Sequence, residues 1–380
     1  MTYCFFSAQY LPTPGGVERY TESMAHLLRA KGHRVLLVTS ALQGLPAQET
    51  DAHGVEIFRL PAWQILHGRL PIAKCGTSKR LRALFAHQQI DRVVAQTMLY
   101  PLSMLGLRFA AENQIPAITI THSTAYVCTG NGFVAKAEQS YERMLAKKAQ
   151  KYCHAFFGVS QNCNQWLTHF GITAAGVLYN GVDLAGIRAA ISQDTQDLRR
   201  QNNLPPDTAL IAFVGRLIPE KGVLELIAAV KILAQTQSIC LLIAGDGPLA
   251  KQIEAMQVPY MRFLGVQPRE KIFSLLHQST IYCLPTRYAE GFPTTVLEAA
   301  ACGTYVMTTN QGGSKELIAD ASFGTILQET SAKNIAAALE KVLRQPDDFR
   351  QKIIDKAQKK VENTFTLAAT CAQLEQLPWR

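Results

Sequence analysis

Short apolar runs alternate with helix-length segments from one end of this 380-residue chain to the other, and nothing else constrains the fold so tightly. In the second half, strands are expected at 210–214, 239–244, 261–264, 280–285, 304–308 and 325–327. Helices are expected between and after them, at 222–236, 248–256, 269–277, 294–302, 313–318 and 331–345. A run such as Ile239-Cys-Leu-Leu-Ile-Ala244 is apolar on both sides, as a parallel strand covered by helices on both faces must be. The first half repeats the pattern, with strands at 3–8, 34–39, 55–60, 91–96, 117–121 and 155–159 and helices at 17–31, 101–111, 138–151 and 161–170. Two successive β/α alternations imply an α/β chain of two doubly wound domains. At 48% hydrophobic and 18% charged residues, each half can fill its own core. A polar stretch at 184–208, with Pro205-Pro206 near its end, marks the expected boundary: 1–184 for the first domain and 185–363 for the second.

Charge is uneven. Residues 1–185 hold 17 Lys+Arg against 10 Asp+Glu, and residues 186–380 hold 21 against 19. The basic first half admits an anionic membrane surface as a partner. Nucleic acid is not expected, because no binding motif appears and the aromatics are not interleaved with the basic residues. Residues 63–87 mix Trp63, Ile65, Leu66, Leu70, Ile72, Leu81, Leu84 and Phe85 with Arg69, Lys74, Lys79, Arg80 and Arg82. They read either as a basic amphipathic segment for a membrane surface or as a core-facing helix with a solvated basic face. Nine scattered cysteines without a Cys-x-x-Cys pattern argue for a reducing compartment and against a disulfide framework or zinc site. No signal peptide or spanning segment is apparent. The expectation is a cytoplasmic protein, with the inner face of the cell membrane as the surface its basic half would touch.

The most informative stretch for chemistry is Tyr288-Ala-Glu-Gly-Phe-Pro-Thr-Thr-Val-Leu-Glu-Ala-Ala-Ala-Cys-Gly303. It follows an apolar run and reads as a loop entering a helix, with Pro293 in the first turn and Gly303 as the stop. Free N–H groups and the dipole at such a helix start favour an anion. Glu290 and Glu298 flank that point, and carboxylates are good acceptors for hydroxyls. The site suits a ligand both phosphorylated and rich in hydroxyls, although two solvated glutamates at a helix start would look the same.

Other loops fall at the same strand ends. After strand 210–214 comes Gly215-Arg216-Leu-Ile-Pro-Glu-Lys221-Gly222, in which a planar guanidinium and a compact ammonium suit a diphosphate. Strand 239–244 ends in Gly245-Asp-Gly247-Pro, and strand 261–264 in Gly265-Val266-Gln, an apolar place for a base to stack. Asn310-Gln-Gly-Gly-Ser-Lys-Glu316 opens another helix. In the first half, Gly15-Gly16 precedes a helix and allows close backbone approach, without the Gly-x-Gly-x-x-Gly fingerprint. His122 follows strand 117–121, at the end where open α/β sheets bind ligands.

Taken together, these motifs resemble glycosyltransferase family 4, retaining nucleotide-sugar-dependent enzymes of GT-B architecture. The resemblance is carried by Pro-Gly-Gly-Val-Glu (14–18), His122, Asn-Gly-Val-Asp (180–183), Val-Gly-Arg-x-x-x-x-Lys-Gly (214–222), Gly-Asp-Gly-Pro (245–248), Glu290 with Glu298, and Gly-Gly-x-x-Glu (312–316). It departs in lacking a Lys/Arg-Ile start and in having Leu178-Tyr179 where Ile-Pro is frequent. It implies two Rossmann-like domains facing across a central cleft, an acceptor-binding one first and a donor-binding one second, with a C-terminal helix at 364–380 crossing back to the first.

By resemblance, Arg216 and Lys221 bind the donor diphosphate, with Gly215, Gly247 and the N–H groups near Gly291, Phe292, Pro293 and Thr294 around it. Val266 meets the base, Glu298 the ribose and Glu290 the transferred sugar. Gly15 and Gly16 admit the diphosphate, and His122 sits by the sugar. The catalytic set would be His122, Arg216, Lys221 and Glu290. No metal or other cofactor is required, because side chains supply the positive charge. The implied reaction moves a sugar from a UDP- or GDP-sugar to a hydroxyl of a glycan or lipid-linked acceptor by same-face substitution. The alternatives are a nucleotide-sugar epimerase or phosphorylase of similar shape, and an inactive relative that binds glycan or partner protein.

Overall fold

The structure, a computed structural model, describes residues 1–13, 15–65, 70–126 and 133–379. The chain divides into two compact units: Met1–Asn180 with Leu367–Arg380, and Gly181–Thr366.

The first unit contains strands β1 (Thr2–Phe6), β2 (Arg34–Ser40), β3 (Gln48–Thr50), β4 (Glu56–Leu60), β5 (Ala62–Ile65), β6 (Leu70–Ala73), β7 (Arg92–Gln96), β8 (Ala117–Thr121), β9 (Ala155–Gly158) and β10 (Gly176–Val177). Its helices are α1 (Gly16–Ala30), α2 (Thr77–Phe85), α3 (Pro101–Glu112), α4 (Phe133–Tyr152) and α5 (Gln161–Thr168). Among the described residues, eight strands form one sheet in the order β10-β9-β8-β7-β1-β2-β4-β3. All its pairs are parallel except β3 with β4. The core follows from the sequence pattern: Cys4, Phe6, Leu36, Val38 and Val93 on the strands pack against Leu102, Phe109 and Ala110 of α3 and against Leu81 and Phe85 of α2. Strand order reverses at β1, which lies between β7 and β2. The switch point of this unit is therefore the β1/β7 pair.

The segment 63–87 is not one amphipathic helix. It divides into an antiparallel hairpin of β5 and β6 and the short helix α2; residues 66–69 lie outside the described residues. The core-facing reading holds for α2, whose Leu81 and Phe85 are buried. Trp63 on the hairpin is exposed, with the Lys74 ammonium 4.2 Å from its ring centre.

The second unit runs α6 (Leu184–Gln193), α7 (Leu198–Gln201), β11 (Ala209–Val214), α8 (Val223–Leu233), β12 (Ile239–Ala244), α9 (Ala250–Glu254), β13 (Met261–Gly265), α10 (Arg269–Gln278), β14 (Ile281–Leu284), α11 (Thr294–Ala301), β15 (Tyr305–Thr309), α12 (Ser314–Leu317), β16 (Thr325–Leu327), α13 (Ala332–Leu343) and α14 (Asp347–Thr364). A last helix, α15 (Leu367–Gln376), belongs to the first unit. The six strands pair in parallel in the order β13-β12-β11-β14-β15-β16. Each of the six residues of β12 is buried, because helices cover both faces: α8 packs beside α13, and α10 and α11 pack together with α6 and α14. Order reverses at β11, between β12 and β14. The carboxyl ends of β11 and β14 thus flank the switch point, where open sheets of this kind leave a crevice.

The polar stretch 184–208 holds two short helices rather than a plain linker. Asp183 caps the first, accepting from the Gly186 N–H, and Asp197 caps the second.

Candidate functional site

The loops after β11, β12 and β13 are fastened to one another by their backbones. Gly215 N–H donates to the Ala244 carbonyl (3.1 Å), Leu217 N–H to the Asp246 carbonyl (2.8 Å), and Gly245 N–H to the Gly265 carbonyl (2.8 Å). This explains the Gly-Asp-Gly turn: a Cβ at Gly245 would enter the Gly215 carbonyl oxygen, and one at Gly247 the Leu217 carbonyl. Only a chain without side chains at these points lets the loops meet. A single 3-10 turn, Pro219–Lys221, then leads to Gly222, whose φ of 73° lies in the left-handed region. There a Cβ would also enter the Pro285 carbonyl oxygen. The β11 loop is thereby pressed against the loop that follows β14.

That second loop is tied down from two sides. Arg287 N–H donates to the Glu220 carbonyl (2.6 Å), and the Arg287 guanidinium meets Glu225 (2.8 Å) and the Pro219 carbonyl (3.2 Å). On the other side, Gly313 N–H donates to the Gly291 carbonyl (3.1 Å) and leaves room for the Phe292 ring. Phe292 is buried, edge-on to Phe365 with ring centres 5.2 Å apart. The outcome is that Lys221 forms an ion pair with Glu290, the two side chains being 15% and 14% exposed. The Lys221 ammonium also lies 5.5 Å from the centre of the Tyr288 ring. Arg216, in the same loop as Lys221, is exposed, and its side chain makes no hydrogen bond or ion pair among the described residues.

Helix α11 starts at Thr294, so Pro293 occupies the capping position and not the first turn, and Glu298 lies little more than one turn in. No side chain caps this terminus, and its first turn carries no acidic residue. The Thr295 hydroxyl accepts from the buried Tyr282 hydroxyl (2.6 Å), whose pKa burial pushes up, so it remains a donor. Glu298 faces Arg269 at 3.3 Å and is 12% exposed. The Arg269 guanidinium lies 5.1 Å from the Phe273 ring centre. Arg269 escapes sequence reasoning because only the packing of α10 against α11 brings it to Glu298. Val266, just past β13, is 74% exposed, an unusual position for a valine and an available apolar surface.

In the first unit, Gly15 and Gly16 begin α1 at the carboxyl end of β1. A Cβ at Gly15 would enter the Glu18 carboxylate, whereas the space at Gly16 is open. Glu18 is buried, and burial pushes its pKa up. Pro14 lies outside the described residues. His122 follows β8 and is half-buried, with its ring centre 5.0 Å from that of Tyr20 in an edge-on arrangement and Gln96 Oε1 2.7 Å from Nε2. Burial pushes the His122 pKa down to about 3, so the imidazole is neutral at pH 7. Residues 127–132, which follow His122 in the chain, lie outside the described residues.

A hollow of about 480 Å³ opens among Glu254, Gln257, Val258, Met261 and Arg262, at the amino end of β13 and away from these loops. Among the described residues no group of His, Cys, Asp or Glu converges as metal ligands do, the cysteines are free, and no helix is long and apolar enough to cross a membrane.

Comparison with known proteins bears on both units. Residues 14–185 match the family model for Glycosyltransferase Family 4, and residues 194–360 that for Glycosyl transferases group 1. The chain is 27% identical to the phosphatidyl-myo-inositol mannosyltransferase of Mycolicibacterium smegmatis over 365 residues, covering 92% of this chain and 86% of that one. Among solved structures it resembles sucrose-phosphate synthase from Thermosynechococcus elongatus, with a TM-score of 0.78 at 19% identity over 99% of this chain and 97% of that one. It also resembles Anabaena HepE in complex with UDP-glucose, with a TM-score of 0.73 at 19% identity over 99% and 98% of the two chains.

Proposed function

The chain belongs to the family 4 glycosyltransferases, with the two Rossmann-like domains of the GT-B fold, and from that premise we propose that its second unit holds a nucleoside-diphosphate sugar at the β11/β14 switch point. One observation carries the reading: three independent loops, 215–222, 285–293 and 310–313, converge on the Lys221–Glu290 pair beside an uncapped helix start. Arg216 and Lys221 grip the diphosphate, and the α11 terminus adds its N–H groups. As the bond to the sugar breaks, negative charge grows on the departing diphosphate, and these fixed positive groups stabilise it. Glu290 accepts from hydroxyls of the transferred sugar and Glu298 from the ribose, with Val266 beneath the base.

The bond between the sugar and the diphosphate breaks while the acceptor oxygen bonds to the same carbon on the same face, its proton passing to the departing phosphate oxygen, so the configuration is retained. Glu290 and Glu298 do not act as a glycosidase acid/base pair, because each is already held by a cation, Lys221 or Arg269. His122 and Gly16 line the carboxyl end of the first unit's sheet, to which we assign the acceptor, with His122 hydrogen-bonding as a neutral group. The UDP-glucose complex of HepE supports a UDP-sugar donor, and the mannosyltransferase supports a lipid-linked acceptor.

The test is incubation with a panel of UDP- and GDP-sugars and candidate acceptors, with anomeric analysis of the product. Release of nucleotide and a glycoside of the donor's own configuration are expected. Absence of both binding and turnover with every donor tried would overturn the proposal.

A further inference from the structure

Gln96 ends β7 at the switch point of the first unit's sheet. Parallel pairing places it opposite Ile120, two residues before His122, and the Thr97 N–H continues the ladder to the Ile120 carbonyl (2.8 Å). Its backbone is fixed on both sides: the buried Ser103 hydroxyl donates to the Gln96 carbonyl (2.7 Å), and Thr97 turns the chain with a φ of 55°. The side chain is buried, and its Oε1 lies 2.7 Å from His122 Nε2.

A carboxamide oxygen accepts hydrogen bonds and cannot donate one. With the Gln96 oxygen oriented toward the ring, the proton in this contact resides on Nε2. Among the described residues, the titratable side chain facing the ring is Tyr20 of α1, itself held protonated by burial, and burial alone sets the state of the imidazole. A neutral imidazole protonated at Nε2 presents only a lone pair at Nδ1. The Gln96 Nε2, by contrast, is buried without a hydrogen-bond partner among the described residues. A buried amide kept for packing alone would be expected to pair both ends, since an orphaned donor is costly. Here only the oxygen is used.

We propose that Gln96 is a positioning residue that fixes His122 as its Nε2–H tautomer, leaving Nδ1 as a hydrogen-bond acceptor for a substrate hydroxyl. This rests on the reading of His122 as a group that meets substrate. A carboxylate at position 96 would orient the ring equally well but would favour the imidazolium, which cannot accept. A neutral amide orients the ring without charging it.

The experiment is two-bond ¹H–¹⁵N correlation of the histidine rings in the ¹⁵N-labelled full chain. The His122 signals are assigned from His122→Asn, and Gln96→Leu and Gln96→Glu are compared with the unaltered protein. Expected in the unaltered protein is a neutral Nε2–H ring from pH 8 to 5. Gln96→Leu should lose the tautomer preference and lower kcat on the order of tenfold, with the donor KM within about twofold. Gln96→Glu should make His122 titrate between pH 5 and 8 and add a matching limb to the rate–pH profile. An Nδ1–H ring or an imidazolium in the unaltered protein at pH 7 would overturn the proposal, as would a Gln96→Leu variant with unchanged tautomer and kcat. If no donor is turned over, the functional reading fails while the spectra still decide the tautomer. If Gln96→Leu does not fold, the unaltered protein and Gln96→Glu decide it.

Discussion

Replacing Lys221 by Met tests whether the second unit's site is already assembled without ligand. The Lys221–Glu290 pair is about 15% exposed at either end, which places it between two regimes. Solvated pairs contribute about 0–1 kcal/mol, whereas removing one partner of a fully buried pair costs roughly 3–5 kcal/mol. An intermediate cost of about 2–3 kcal/mol is expected for Lys221→Met, because a carboxylate in a nearly dry loop loses its lysine. At about 2–4 °C per kcal/mol for a unit of this size, the transition involving Gly181–Thr366 should fall by about 4–12 °C. Glu290→Gln should cost less, because the Lys221 ammonium keeps the Tyr288 ring beside it and its longer stem can reach water. The double variant should recover about 1–2 kcal/mol of the summed single costs. The assay is a double-mutant cycle by urea and thermal unfolding of the full chain, following the transition that shifts. Additivity within about 0.5 kcal/mol would refute the reasoning, since the two groups would then not sense each other.

Three further outcomes are expected. Arg216→Gln should leave stability within about 0.5 kcal/mol, because the side chain is exposed and makes no hydrogen bond or ion pair among the described residues, yet weaken nucleoside diphosphate binding at least about tenfold for want of a charge-assisted bond; calorimetry and thermal unfolding together check the split. Gly222→Ala should destabilise by about 2–4 kcal/mol, combining left-handed strain with collision against the Pro285 carbonyl, and urea unfolding measures it. His122, with its pKa pushed down to about 3 against about 6.5 unfolded, contributes full stability above pH 6.5 and loses it as pH falls toward 3, at up to about 1.4 kcal/mol per pH unit. Unfolding of the unaltered protein and His122→Gln between pH 7 and 4 should therefore show the flatter pH dependence in the variant, and parallel curves would contradict it.

Much of the second unit was legible because its strands are buried on both faces: Ile239-Cys-Leu-Leu-Ile-Ala244 is apolar throughout and lies in β12 as expected. Glu290, Lys221 and the glycine turns were legible as strand-end loops, but the reason for the glycines was not. It resides in carbonyl oxygens of other loops, which no local pattern encodes. Asp183 followed by Leu-Ala-Gly-Ile is a capping signal that the polar composition of 184–208 obscured. Helix α14 carries two aspartates in its first turn and buried Ile353, Ile354, Ala357 and Val361 at helical spacing, a pattern present in the sequence but passed over. The β5–β6 hairpin was hidden because its four-residue strands are too short to show alternation above the surrounding basic residues. Gln96 and Arg269 carry no motif. Each acquires its partner only when β7 pairs with β8 or α10 packs on α11, although a polar residue ending an apolar strand, as Gln96 does, is a signal that could have found the first.

The most direct test of the central claim is titration calorimetry of the full chain with UDP, UMP, GDP and GMP, repeated on the Arg216→Gln/Lys221→Met double variant. A site built around a pyrophosphate should bind one of the diphosphates at least about tenfold more tightly than its monophosphate, and the double variant should lose that preference. Equal affinity for diphosphate and monophosphate, or a preference that survives removal of both cations, would contradict it.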